Sequence, residues 1–164
     1  MSTANAPLSP RERAEIASLA AHYPVPRAAC IDALKFLQAE RGYISDTTLA
    51  AAAEALAMPV AELDEVATFY NLIFRQPVGK NVLLLCDSIT CWMLGRDDLA
   101  AQITRALGIR PGETTQDGKI TLLPTVCLGA CDRAPALLEG ETLHGCVTPE
   151  SLSALLEKLV TQPA

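Results

Sequence analysis

Apolar positions recur every three or four residues through the first half of the chain and gather into short unbroken runs in the second, so the period itself divides the sequence. From Leu8 to Tyr70 the pattern is helical. Ser9, Pro10 and Glu12 stand in the order of an N-cap, a first-turn proline and the acid of a capping box. A serine hydroxyl there accepts from backbone donors that no helix carbonyl reaches, while the glutamate reaches back. Ile16, Leu19, Ala20 and Tyr23 then share one face until Pro24 ends the pattern. Cys30, Ala33, Leu34 and Leu37 predict a second helix that stops near Gly42. Ser45 or Asp46 caps a third, with Leu49, Ala52, Ala53 and Leu56 on its apolar side. Leu63, Val66 and Ala67 mark a short fourth helix. Four helices of this length pack as a small bundle.

The segment Arg75 to Lys80 sets Pro and Gly between charges and marks the boundary, predicting a helical bundle over residues 1–76 and a second domain over 77–164. Val82 to Leu85 is a continuous aliphatic run, the signature of a strand buried on both faces. Leu99, Ile103, Ala106 and Leu107 predict a helix closed by Gly108. Asp117 and Gly118 tolerate positive φ and predict a hairpin turn between Thr114–Thr115 and Ile120–Leu123. Ala136–Leu138 and Thr142–Val147 predict a second hairpin around Glu139–Glu141. A last helix begins at Thr148, Pro149 and Glu150 and turns Leu152, Leu155, Leu156 and Leu159 to the sheet. The fold class is α/β, with the helices first and a mixed strand and helix domain after them.

Half of the 164 residues are hydrophobic and 20% are charged, which is enough apolar matter for a packed core. Thirteen Lys and Arg against nineteen Asp and Glu give a formal charge of −6. No basic block offers phosphate neutralisation, so nucleic acid is not an expected partner. The opening residues lack the basic-then-apolar order of a secretion signal. No apolar run approaches the ~20 residues that cross a bilayer, and a cytoplasmic chain without direct membrane insertion is expected. Its six cysteines are then kept reduced, which favours a metal or redox site over a disulfide framework.

Four of them form two pairs: Cys86 and Cys91 with four residues between, and Cys127 and Cys131 with three. Thirty-five residues separate the pairs, and each pair follows an apolar run, so both fall on loops at sheet ends that can face one another. A 2Fe-2S cluster takes four thiolates, two on each tetrahedral iron, and two loops of two cysteines meet that demand. Gly129 and Ala130 inside the second pair would let backbone N–H groups approach the sulfurs. A structural zinc site takes four thiolates at similar spacing, and spacing alone does not separate the two. Zinc ordinarily closes a small knuckle, of which a two-domain chain with an adequate core has less need, and this weighs toward iron-sulfur. A plant-type ferredoxin gathers three cysteines in one loop and a Rieske site needs two histidine ligands, which His22 and His144 do not supply. Thioredoxin-type dithiol chemistry wants Cys-x-x-Cys, and the chain has none.

The runs CDSITC (86–91) and LLPTVCLGACDRAP (122–135), with the helical front and ATFYNLIFRQPVGK (67–80), resemble the E-subunit family of bacterial NADH-quinone oxidoreductase, respiratory complex I. The resemblance spans nearly the whole chain. It implies a helical bundle followed by a thioredoxin-like 2Fe-2S ferredoxin domain, with Cys86, Cys91, Cys127 and Cys131 as the ligands of one 2Fe-2S cluster. It further implies an electron-transfer role beside the F subunit, which holds FMN and binds NADH, with the iron-sulfur G subunit as a further partner. The place implied is the peripheral arm on the cytoplasmic side of the inner membrane. Related subunits serve NAD-dependent formate dehydrogenases and NAD-reducing hydrogenases, which is the alternative setting.

Cys30 and Cys146 match no ligand position; the first lies on a helix stripe and the second late in a predicted strand, and both are read as structural. Trp92 is read as packing on the next helix, Asp97 and Asp98 as capping that helix or complementing its dipole, and Lys119 and Arg133 as solvated cations. Phe69, Tyr70, Leu72, Ile73 and Phe74 are read as core rather than a partner surface. No Gly-rich phosphate loop follows a strand, so NADH chemistry is expected on a partner.

Overall fold

The structure, a computed structural model, describes residues 6–161 and divides into two compact units, Met1–Pro77 and Val78–Ala164.

In the first unit, α1 (Pro10–Ala20) opens with the expected capping box. Glu12 N–H donates to Ser9 Oγ at 3.2 Å and Ser9 N–H donates to Glu12 Oε2 at 2.7 Å. Glu12 has a second partner that the pattern did not disclose. Arg41, the last residue of α2 (Cys30–Arg41), donates from Nε and Nη2 to the two carboxylate oxygens, each at 2.7 Å. The side chains of the pair are only 4% and 9% exposed. The Arg41 hydrogen bonds outweigh the opposing effect of burial and hold the Glu12 pKa at about 2. Gly42, at φ 85°, ends α2 in a conformation that a Cβ would strain. Ser45 caps α3 (Asp46–Ala55) by accepting from Thr48 N–H, and α4 (Val60–Phe69) follows. Ile16, Leu34, Leu37, Leu49, Leu56 and Leu63, drawn from all four helices, form the core. The Phe69–Phe74 run is not core as a block. Phe69 is 81% exposed, Tyr70 and Leu72 are exposed, and Ile73 is the member fully taken into the core. The chain turns after α4, with Ile73 N–H on Tyr70 O and the Gln38 side chain bonded to Leu72 O and Phe74 N–H, so successive side chains point different ways.

In the second unit, β1 (Asn81–Cys86) is the centre of a sheet of order β2-β1-β3-β4. It pairs in parallel with β2 (Ile120–Thr125) and antiparallel with β3 (Leu137–Glu139), which pairs antiparallel with β4 (Thr142–His144). Leu83 and Leu85 pack with residues of α6 (Arg96–Leu107) and α7 (Pro149–Thr161), among them Ile103, Leu152 and Leu156. The alternate residues Leu84 and Cys86 are buried as well. The strand is therefore covered on both faces, as its unbroken aliphatic run predicts.

Three details differ from the expected pattern. A five-residue helix, α5 (Ile89–Met93), begins between the cysteines of the first pair and carries Cys91, too short to show a period. The Asp117–Gly118 turn forms, with Asp117 Oδ1 accepting from Thr115 Oγ1 and Lys119 N–H. Across it, however, Thr114 and Thr121 make only an isolated bridge, because the ladder of β2 goes to β1. The last strand ends at His144 rather than Val147. Beyond it the backbone turns so that Cys146 N–H meets Arg133 O at 2.5 Å and Val147 N–H meets Pro135 O at 3.0 Å. Cys146 thus lies outside the strand, at φ 50°. Gly145 permits the close approach, since a Cβ there would stand 2.7 Å from the Arg133 Cβ. No helix among the described residues is long and apolar enough to cross a membrane.

Candidate metal centre

Strand pairing fixes the first cysteine pair. Cys86 is the last residue of β1, and its N–H donates to Ala136 O at 3.2 Å; the next N–H, from Asp87, donates to Thr125 O at the end of β2 at 2.8 Å. The chain is pinned from both sides before it enters α5, whose third residue is Cys91. Both thiols are 2% exposed and share a small apolar cluster with Ala130 and Ala136, bordered by Leu128, Ala134 and Leu143. Burial pushes the Cys91 thiol up, and the nearby Cys86 and Cys131 add to this against the Ala136 hydrogen bond.

The second pair follows the parallel partner strand. Cys127 lies two residues beyond β2, and Cys131 opens a 3₁₀ turn, Cys131–Arg133. Their sulfurs are 3.5 Å apart and both residues are exposed. Gly129 adopts φ 77°, and its N–H donates to Cys127 Sγ at 3.4 Å, an approach that a left-handed backbone allows. That N–H is the foremost cause of a Cys127 thiol held below its ordinary value, with Cys131 and the Ser88 hydroxyl contributing. The adjoining Cys127 pushes Cys131 up, while the Thr90 hydroxyl opposes. Ser88 and Thr90 belong to the stretch between Cys86 and Cys91, so the two loops face one another across their sulfurs.

Two sulfurs bound to one tetrahedral metal at 2.3 Å lie roughly 3.8 Å apart. The Cys127–Cys131 separation of 3.5 Å suits such a pair, and the donors that converge here are all thiols, as iron-sulfur chemistry requires. Among the described residues no three Cys, His, Asp or Glu side chains form a group arranged to hold a single metal ion. The donor set offered by the two pairs, thiols alone, has the chemistry that an iron-sulfur group takes.

The remaining residues singled out in the sequence have other settings. Trp92 is 55% exposed and does not pack in a core. Gly95, not an aspartate, is the N-cap of α6; Asp97 and Asp98 sit in its first turn, where they complement the dipole. Lys119 Nζ donates to Val160 O, so it is tied rather than merely solvated. Cys30 opens α2 in the other unit, half-buried against its core, and Cys146 is exposed. Ser88, Thr90 and the ion pair of Asp87 with Arg96 at 3.1 Å were not singled out in the sequence. The alternation of hydroxyls inside CDSITC is the one signal that points to the first two.

The family model of the thioredoxin-like [2Fe-2S] ferredoxin matches residues 16–160. The E subunit of NADH-quinone oxidoreductase from Pseudomonas aeruginosa is 46% identical over 153 residues, covering 93% of this chain and 92% of that protein. The protein of the same name from Escherichia coli K12 is 46% identical over 151 residues, 92% of this chain and 91% of its own length. Among solved structures, an NAD+-reducing [NiFe]-hydrogenase in the H2-reduced state superposes with a TM-score of 0.68 at 27% identity. That match covers 80% of this chain and 22% of the hydrogenase chain. Joined with two thiol-bearing loops at the ends of neighbouring parallel strands, these likenesses establish that the chain belongs to the thioredoxin-like [2Fe-2S] ferredoxin family.

Proposed function

We propose that Cys86, Cys91, Cys127 and Cys131 hold one 2Fe-2S cluster, one pair to each iron, and that the chain is an electron-transfer subunit of an NADH-quinone oxidoreductase. The observation that carries the reading is the meeting of the two loops: thiols alone converge, in twos, at the ends of β1 and β2. When bound, such a cluster supplies one-electron storage and transfer. This chain's own residues prepare the place for it. The apolar pocket around Cys86 and Cys91 excludes water from one side. The Gly129 N–H and the hydroxyls of Ser88 and Thr90 turn the positive ends of their dipoles to the sulfurs of the exposed pair, which favours added negative charge.

NADH gives up two electrons as hydride, whereas a site of this kind takes one, so a flavin must divide the pair. The partner we propose is the FMN- and NADH-binding F subunit, with the iron-sulfur G subunit in the same peripheral arm on the cytoplasmic side of the inner membrane. The identity to the Pseudomonas aeruginosa E subunit over more than nine-tenths of both chains favours that setting. The superposition on an NAD+-reducing hydrogenase supports the second reading, the equivalent small subunit of such an enzyme or of an NAD-dependent formate dehydrogenase. Purification of the tagged chain from its own host, with identification of the companions, separates the two. Flavin- and quinone-reductase subunits are expected; a nickel or molybdenum enzyme in their place overturns the first reading in favour of the second.

A further inference from the structure

Helix energetics alone disfavour an arginine at position 96. Arg96 is the first residue of α6, where the unpaired backbone N–H groups form the positive end of the helix dipole and a cation is unwelcome. Its side chain is nevertheless only 15% exposed, so its charge is largely withdrawn from water. Nη1 donates to Asp97 Oδ1 at 2.8 Å, Nη2 lies 3.1 Å from Asp87 Oδ1, and the buried Nε has no hydrogen-bond partner among the described residues. A side chain that merely completed the surface would swing outward to solvate that group. This one is held by the ion pairs to Asp97 and Asp87.

Asp87 is a junction. It directly follows Cys86, and its N–H donates at 2.8 Å to Thr125 O, two residues before Cys127. Arg96 itself stands five residues beyond Cys91. One ion pair therefore ties the chain leaving Cys91 to the chain leaving Cys86, and through the Asp87 amide to the strand that delivers Cys127.

We propose that Arg96 is a positioning residue of the metal centre: its guanidinium braces the roots of both thiol pairs and offsets the carboxylates that would otherwise oppose an incoming electron. The inference rests on the cluster reading given above and adds to it a residue that touches none of the sulfurs. Without Arg96, Asp87 next to Cys86 and Asp97 in the first turn of α6 stand uncompensated, the reduced state is disfavoured, and the midpoint potential falls.

The test compares R96Q, R96K and D97N with the wild-type full chain. Iron and sulfide content, the midpoint from a potentiometric EPR titration, the rate of cluster loss to a chelator and amide exchange at Asp87 in the metal-free chain are measured. In R96Q the midpoint falls below wild type, the cluster is lost faster, and the Asp87 amide exchanges faster. R96K keeps the charge but not the fork, so its midpoint stays near wild type while loss and exchange speed up. D97N alters an exposed residue, folds, and raises the midpoint. Unchanged midpoints in R96Q and D97N overturn the electrostatic role, and an unchanged Asp87 exchange rate in R96Q and R96K overturns the brace. If R96Q does not fold, R96K and D97N carry both arms. A wild-type chain without iron refutes the cluster reading instead, and the exchange arm still decides whether Arg96 braces the loop.

Discussion

Cys86 and Cys91 lie in an apolar pocket between the end of β1 and α5, whereas Cys127 and Cys131 stand on an exposed loop past β2, so the two halves of the proposed site differ in their surroundings. The buried pair is held by sheet hydrogen bonds on both sides, from Cys86 N–H to Ala136 O and from Asp87 N–H to Thr125 O. The exposed pair is held by its own loop, above all by the left-handed Gly129. Dry sulfur faces exposed, hydrogen-bonded sulfur. The first resembles a core position that happens to end in thiols; the second is a loop shaped around charge.

Serine in place of one cysteine breaks the site in either half, yet with different side effects. C86S and C127S both lose the greater part of bound iron, read by iron assay and visible absorption. In the metal-free chain C86S also costs about 1–3 kcal/mol, because a hydroxyl in the apolar pocket is left poorly paired. C127S stays within about 0.5 kcal/mol of wild type by denaturant unfolding, since its side chain meets water. Equal destabilisation by the two would erase the distinction between buried and exposed halves.

The helical unit supplies a contrast from outside the site. Its Glu12 is buried like Cys86, but it is charged and bound by Arg41. With the folded pKa at about 2 against an ordinary 4.5, this carboxylate contributes stability in full above pH 4.5, and that contribution fades as pH falls toward 2. E12Q therefore destabilises the unit by roughly 3 kcal/mol at neutral pH, with the difference shrinking below pH 4.5 and the iron content untouched. Urea unfolding at several pH values measures it.

A smaller effect ranks the thiols themselves. In the metal-free chain iodoacetamide modifies Cys127 first, with a pH midpoint below that of an ordinary thiol, because the Gly129 N–H favours its thiolate. Cys91, pushed up by burial, reacts last and at higher pH. Peptide mapping of the modified chain gives the order; a faster Cys91 would contradict the assigned settings. The smallest effect is none: C30A and C146A keep the wild-type iron content, and loss of iron in C146A would show that the ligand set is wrong.

Much of the molecule is legible in its sequence. The capping box at Ser9 and Glu12, the end of α2 at Gly42 and the doubly buried β1 each follow from local chemistry or period, and the structure has them. The placement of both cysteine pairs near strand ends is legible because each follows an apolar run, but Cys86 is the last residue of β1 and Cys91 stands on α5 rather than on a loop. What stays hidden depends on residues distant in sequence. Arg41 bonds Glu12 from the far end of another helix, and no periodicity announces it. α5 is too short to show a helical period, and Cys146 leaves its strand because Arg133, thirteen positions earlier, draws its N–H away. The Phe69–Phe74 run misleads for a related reason: apolar residues in a turn point several ways, and only the packing decides which is core.

Four thiolates in two facing pairs hold the binuclear iron-sulfur centre we propose. Metal and acid-labile sulfide analysis of the chain purified without exposure to oxygen, followed by EPR after reduction, tests it most directly. Two irons and two sulfides per chain, with a paramagnetic signal that appears on uptake of one electron, are predicted. One tightly held zinc, no sulfide and no signal would contradict it.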